Sequence, residues 1–268
     1  MSDDVLTRTP PPAQARIPYG PDPSQFGDLR LPGGSGPFPL AIMLHGGYWR
    51  SRYDLEYLGH AASALSAAGI ATWNVEYRRL GMLGGGWPGT FLGVAAAADY
   101  APHLGRDHPL DVNRIVAVGH SAGGHLACWL AGRSRVAEHS PLFSANPLSL
   151  AGVVVLAGLV DLRRAWQLGL STNATGALLG GPPDLHPERY AAASPIELLP
   201  MGVRQVLLHG TADTDVPFEL SERFARAAGA AGDRVQFVPL PDAGHFELVD
   251  PRAAEWDAVL AAVRSLLA

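Results

Sequence analysis

The chain has 268 residues, 47% of them hydrophobic and 17% charged, with a formal net charge of −5. That balance buries a sizeable core and excludes a disordered chain. With no basic block, it also excludes an electrostatic footprint for nucleic acid. Cys128 is the only cysteine, so no disulfide framework forms within the chain, and its place in the helical-looking HLACWLAG points to packing. No apolar run approaches the roughly 18 residues of a membrane span. The opening MSDDVLTRTP has acidic residues and no apolar centre, which is not the pattern of a secretory signal. A cytoplasmic enzyme or binding protein that handles a small molecule is the expectation, with neither membrane nor nucleic acid as partner.

Residues 1–24 are rich in proline and polar side chains and read as an arm laid over the surface or partly disordered. Residues 25–268 read as a single domain. QFGDLRL alternates and predicts an edge or hairpin strand, and PFPLAIMLHGG is a short apolar run ending in glycines, which suits a buried strand. LEYLGHAASALSAAG predicts a helix closed at Gly69. IATWNVEYR is again strand-like, GTFLGVAAAADYAPHLG has helical spacing, VNRIVAVGH is a buried strand, and SAGGHLACWLAGR is a helix starting at the serine. LAGVVVLAGLVDL and VRQVLLHG are further buried strands. PFELSERFARAAGAAG predicts a helix, RVQFVPL a strand, and PRAAEWDAVLAAVRSLL a last helix with Pro251 near its first turn. Apolar strands alternating with helices predict an α/β fold, a mostly parallel sheet covered on both faces. One long interruption, residues 163–201, falls between two strands and reads as a short cap or lid near the carboxyl ends of the strands, where α/β sheets bind ligands.

The stretch VAVGHSAGGHLA carries the chemistry. Ser121 lies between Gly119 and Gly123 on a tight strand-to-helix turn, which projects its hydroxyl outward. A nucleophilic serine needs a base, an acid that orients the base, and donors for the oxyanion. In the order serine, acid, histidine, the loop after VRQVLLHG offers Asp213 and Asp215, and only His245 follows it. Asp213 comes first out of the strand and is preferred; Asp215 is read as a cap for the helix near Pro217. Asp161 is a third acid, read as a cap for LRRAWQLG. The amide of Ala122, at a helix N-terminus, is one expected oxyanion donor. The other is expected from MLHGGYWR, at Gly47 and then Gly46, because glycine lets the backbone approach a ligand. Tyr48 and Trp49 flank that loop and are candidates for the pocket wall. His45, His120, His209 and His125 are read as structural. Metal ligation finds no pattern: there is no HExxH, and one cysteine builds no thiolate site.

HGGYW together with GHSAGGHLA resembles the α/β-hydrolase superfamily from about Gln25 onward, and within it the kynurenine formamidase (arylformamidase) branch and the hormone-sensitive-lipase-like esterases. The resemblance implies an α/β-hydrolase fold, a Ser121–Asp213–His245 triad, an oxyanion hole near Gly46 and Gly47, and no cofactor. Departures are Tyr48 where lipase-like esterases often carry a third glycine, His120 where they often carry an acid, and Gly244 where formamidases tend to carry one. Three readings follow: a serine hydrolase of small carboxylic esters, a hydrolase of N-formylkynurenine or a similar N-formyl aryl amide, and a binding protein that keeps the fold without catalysis.

Overall fold

A computed structural model describes residues 2–268. Eight strands form one sheet: β1 (Ala15–Pro18), β2 (Phe26–Arg30), β3 (Phe38–Leu44), β4 (Ala71–Val75), β5 (Leu110–His120), β6 (Gly152–Leu156), β7 (Gln205–Gly210) and β8 (Val235–Leu240). Their order is β1-β2-β4-β3-β5-β6-β7-β8. β1 with β2 and β2 with β4 pair antiparallel, and every other pair is parallel. The parallel strands therefore end at one edge, and the residues that follow β3, β5, β7 and β8 meet there.

Eight helices cover the sheet or extend beyond it: α1 (Gly59–Ala67), α2 (Gly89–Leu104), α3 (Ala122–Gly132), α4 (Leu162–Gln167), α5 (Leu170–Leu179), α6 (Pro187–Ala193), α7 (Glu219–Ala230) and α8 (Trp256–Leu267). The strands are apolar throughout because successive side chains serve two different cores. Leu40, Ile42, Ile115, Ala117 and Val153 face the layer of α2, α3 and α7, where Phe91, Trp129 and Phe224 are buried. Ala41, Met43, Val116, Val118 and Val154 face the layer of α1 and α8, with Leu65 and Val263. The C-terminal stop of α1 is as the sequence predicts: Gly69 follows the cap with φ +92°, a conformation that glycine adopts without strain.

Two stretches differ from their sequence reading. Residues 15–18 of the expected arm form the edge strand, and QFGDLRL takes the second of its two readings, a strand of the hairpin that they complete. Arg16 stands directly opposite Asp28 and donates to both its carboxylate oxygens at 2.7 and 2.9 Å. Before it, a 3₁₀ turn (Ser2–Leu6) puts Val5 fully into the second core. Arg8 bonds Asp250 at 2.8 Å, and Arg252 bonds Asp4. The last helix starts at Trp256 and not near Pro251, because residues 251–255 turn around Asp250, whose carboxylate accepts from the Arg252 amide.

The interruption at residues 163–201 holds most of α4 and all of α5 and α6. Asp161 caps α4, accepting from the Arg164 amide at 3.0 Å. Ser171, Thr172 and Asn173 have φ of 48°, 54° and 56°, a left-handed turn inside α5. The segment is tied to the body by Arg50, which donates to the Ser171 carbonyl at 2.6 Å, and by the Trp87 amide on the Leu178 carbonyl at 2.8 Å.

Candidate active site

β5 ends at His120 and α3 begins at Ala122, so Ser121 alone makes the turn, at φ 57° and ψ −121°. A side chain in such a conformation costs about 1–3 kcal/mol and persists only where its surroundings over-determine it. They do so here. The Ser121 amide donates to the Leu156 carbonyl at 2.8 Å, and its own carbonyl accepts from the His125 amide at 3.1 Å. The glycines are required by close approach. A Cβ on Gly119 would lie 2.0 Å from the Gly123 carbonyl oxygen, and one on Gly123 would lie 1.9 Å from that of Leu44.

Asp213 follows β7 and His245 follows β8. His245 Nδ1 donates to Asp213 Oδ2 at 2.7 Å, the tautomer of a neutral imidazole that places its lone pair on Nε2. Asp213 Oδ1 accepts from the amides of Asp215 and Val216, both at 2.8 Å. His209 Nε2 lies 3.0 Å from the Val216 carbonyl and 3.2 Å from Asp213 Oδ2, so that nitrogen carries the proton, and its Nδ1 accepts from the Ser221 hydroxyl at 2.7 Å. Burial pushes the Asp213 carboxyl up, but the donors from His209, His245 and the Val216 amide outweigh it and hold it well below the usual carboxylate range. The ionised carboxylate thus fixes His245 in one tautomer. His245 Nε2 and Ser121 Oγ have no hydrogen-bond partner among the described residues, and both residues line one cleft. Its other walls include Leu6, Tyr48, Tyr53, Asp215 and Phe246.

Asp215 is not the cap expected of it. α7 begins at Glu219 without a side-chain cap, and Asp215 is an exposed residue on the cleft rim whose carbonyl accepts from the Tyr48 hydroxyl at 2.5 Å. Asp213, Asp215 and His245 bring three possible metal-ligand atoms within 4.8 Å of one another. A metal there would have to displace the donors that already fill Asp213 and the Asp213–His245 bond itself.

The loop after β3 separates the remaining predicted residues. Gly47 lines the cleft at φ +101°, and Tyr48 stands beside it. No backbone or side-chain acceptor is bonded to the Gly47 or Ala122 amide among the described residues. The Gly46 amide is different: it donates to the Tyr57 hydroxyl at 2.6 Å and is not free for a ligand. Trp49 is fully buried rather than on the wall, and its Nε1 donates to His125 Nδ1 at 3.2 Å. The two neighbours part because Tyr48 and Trp49 both have positive φ, 50° and 57°, so the chain reverses between them. His125 is fully buried, its Nε2 on the Ala193 carbonyl at 2.9 Å, and burial lowers its pKa to about 4. Beneath the loop, His45 Nε2 meets Glu76 Oε1 at 2.9 Å, and the Tyr77 hydroxyl donates to the His45 carbonyl at 2.7 Å. No local signal marks Tyr57, Tyr53, Phe246 or Leu6, which reach the cleft from three separate connections, Tyr53 and Tyr57 from the one between β3 and α1.

Among the described residues no helix is long and apolar enough to cross a membrane. Esterase LipC of Mycobacterium tuberculosis (strain ATCC 25618 / H37Rv) is 29% identical over 253 residues, which is 88% of this chain and 60% of LipC. A probable isoprenylcysteine alpha-carbonyl methylesterase, ICME, of Oryza sativa subsp. japonica is 25% identical over 264 residues, 93% of this chain and 62% of that protein. The chain therefore spans about three-fifths of the length of these curated relatives. A truncated carbohydrate esterase from gut microbiota shares the fold with a TM-score of 0.77 at 20% identity, over 97% of this chain and 99% of its own. Residues 28–227 match the BD-FAE family, from β2 into α7 and across the serine turn and Asp213; the chain is an α/β-hydrolase and belongs to that family.

Proposed function

We propose that the chain is a serine hydrolase that cleaves small carboxylic esters through an acyl-enzyme intermediate. The observation that carries this reading is the 2.7 Å bond from His245 Nδ1 to a buried, ionised Asp213, in a residue that shares one cleft with Ser121. His245 Nε2 takes the proton of Ser121 as Oγ attacks the acyl carbon. The amides of Gly47 and Ala122 receive the oxyanion, the second assisted by the N-terminal end of α3. His245 then returns the proton to the leaving alkoxide, the C–O bond breaks, and the acyl group stays on Ser121. A water that gives its proton to His245 releases the acid and restores the hydroxyl. Asp213 remains ionised throughout and stabilises the imidazolium in each half-reaction.

The side chains of Leu6, Tyr48, Tyr53 and Phe246 crowd the cleft around Ser121, which favours a small substrate. The esterases LipC and ICME, similar in sequence, support the ester class. The HGGYW loop keeps an N-formyl aryl amide as the second reading. Ser121→Ala tests the first directly: turnover of p-nitrophenyl acetate and labelling by a fluorophosphonate probe both fall to background. Wild-type turnover that survives the substitution overturns it. A panel of aryl esters with N-formylkynurenine separates the two substrate classes.

A further inference from the structure

Four groups form one buried line behind the cleft. The Gly46 amide lies 2.6 Å from Tyr57 Oη, Tyr57 Oη lies 2.9 Å from His120 Nδ1, and His120 Nε2 lies 3.0 Å from the carbonyl oxygen of His245. The directions are fixed by what each end can do. The Gly46 N–H only donates, so Tyr57 Oη accepts from it. The His245 carbonyl only accepts, so His120 Nε2 carries the proton. A neutral ring then presents a bare Nδ1, and that nitrogen accepts the Tyr57 hydroxyl proton. Every donor has one acceptor only when His120 is neutral, and burial lowers its pKa well below the ordinary histidine value. Protonation would set an Nδ1–H against a hydroxyl that has no other buried acceptor for its own proton.

We infer that Tyr57 and His120 are positioning residues that hold the Gly46–Gly47 peptide and His245 at a fixed separation, so that the oxyanion donors and the base are set by a single buried strut. This rests on the serine hydrolase reading of the site. Packing supports it. A Cβ on Gly46 would meet Ser121 Cβ at 2.8 Å and Tyr57 Oη at 2.9 Å, so this peptide is wedged between the nucleophile and the strut. The His120 and His245 ring centroids are 4.4 Å apart, and Phe246 packs edge-on against both Tyr57 and His245. Neither Tyr57 nor His120 donates to the oxyanion or takes the serine proton in the proposed mechanism. Each acts through a residue that does.

Tyr57→Phe keeps the ring and removes the hydroxyl. It leaves the Gly46 amide and His120 Nδ1 unpaired, and the loop that carries Gly47 shifts. A misplacement of about 1 Å costs on the order of 100-fold in rate. The expected result on p-nitrophenyl acetate is a fall in kcat of about 10- to 100-fold, with KM within about threefold. Affinity for an alkylboronic acid, which mimics the tetrahedral adduct on Ser121, falls by the same factor as kcat. His120→Gln offers an acceptor to Tyr57 and a donor to the His245 carbonyl and retains most of the rate; His120→Leu offers neither and loses it. Thermal unfolding of each variant identifies any that fails to fold, and hydrogen exchange at the Gly46 amide, faster in Tyr57→Phe, reads the strut without substrate. Unchanged kcat and boronate affinity in folded Tyr57→Phe, a loss confined to KM, or unchanged Gly46 exchange overturns the inference. If wild-type protein shows no turnover dependent on Ser121, the hydrolase reading fails instead, and the exchange experiment still decides the strut.

Discussion

Asp213→Asn is the sharpest test of the proposed chemistry, because the surroundings dictate how the new side chain must lie. Oδ1 of Asp213 accepts two backbone amides, from Asp215 and Val216, each at 2.8 Å. An asparagine that turned its NH₂ toward them would set donor against donors, so its single oxygen takes that site. The NH₂ then faces His245 Nδ1, where the carboxylate now stands at 2.7 Å. Two donors cannot share that contact. The imidazole gives up its Nδ1 proton, carries one on Nε2 instead, and presents to Ser121 a nitrogen that cannot take a proton. Shape and packing are retained while the tautomer is wrong. In serine-histidine-acid sites this change costs about 10⁴-fold in kcat, equivalent to about 5.5 kcal/mol of barrier. Steady-state turnover of p-nitrophenyl acetate, with thermal unfolding as the fold control, measures it. A folded Asp213→Asn that keeps more than about a tenth of the wild-type kcat refutes the assignment. Asp215→Asn is the internal comparison. The Asp215 side chain is exposed and its hydrogen bonds run through its backbone, so its turnover stays within about tenfold.

Three further outcomes follow from single contacts. Leu6 forms one wall of the cleft, so Leu6→Ala raises the ratio of hexanoate to acetate ester turnover by about tenfold, the scale on which a pocket reads methylene groups; an unchanged chain-length profile removes Leu6 from the substrate path. Gly123→Ala drives a Cβ to within 1.9 Å of the Leu44 carbonyl oxygen, and urea unfolding shows a loss of about 1–3 kcal/mol or more; a wild-type midpoint contradicts the packing of the serine turn. Glu76 is pushed up by burial but held below its ordinary carboxylate value by His45, Arg79 and the Tyr77 amide. A carboxylate whose folded pKa is depressed contributes stability above its unfolded pKa and loses it as pH falls through the folded one. The stability gap between wild type and Glu76→Gln is therefore widest near neutrality and narrows on acidification; a constant gap down the acid limb rules out this linkage.

That Ser121, Asp213 and His245 gather at one edge of the sheet is legible in the sequence for one shared reason. Each follows a short apolar run that breaks into turn residues, and parallel strands of that kind end at one edge. The sequence favours Asp213 over Asp215 by a local property, that it leaves β7 while the backbone is still turning, and it is Asp213 that accepts from His245. Asp215 departs from its expected role because α7 starts later than the sequence suggests: the chain stays irregular until Phe218, too far along for Asp215 to cap the helix. The strand within the arm escapes sequence reading because β1 is only four residues long and pairs with β2, with Arg16 opposite Asp28, a pairing that no local pattern announces.

The loop after β3 marks the limit of such reading most clearly. Period-based arguments assign a residue to a face from its neighbours, and they assume ordinary backbone between them. Tyr48 and Trp49 break that assumption in succession, so one reaches the cleft and the other the core although both are large aromatics side by side. The same holds for Gly46 and Gly47. The sequence ranks Gly47 ahead of Gly46 but keeps both as donors, and what separates them is a hydroxyl 11 residues beyond Gly46 that takes its amide and leaves Gly47 facing Ser121's cleft. Strand ends thus predict where chemistry gathers, while the division of labour among adjacent residues is settled by tertiary hydrogen bonds such as that of Tyr57.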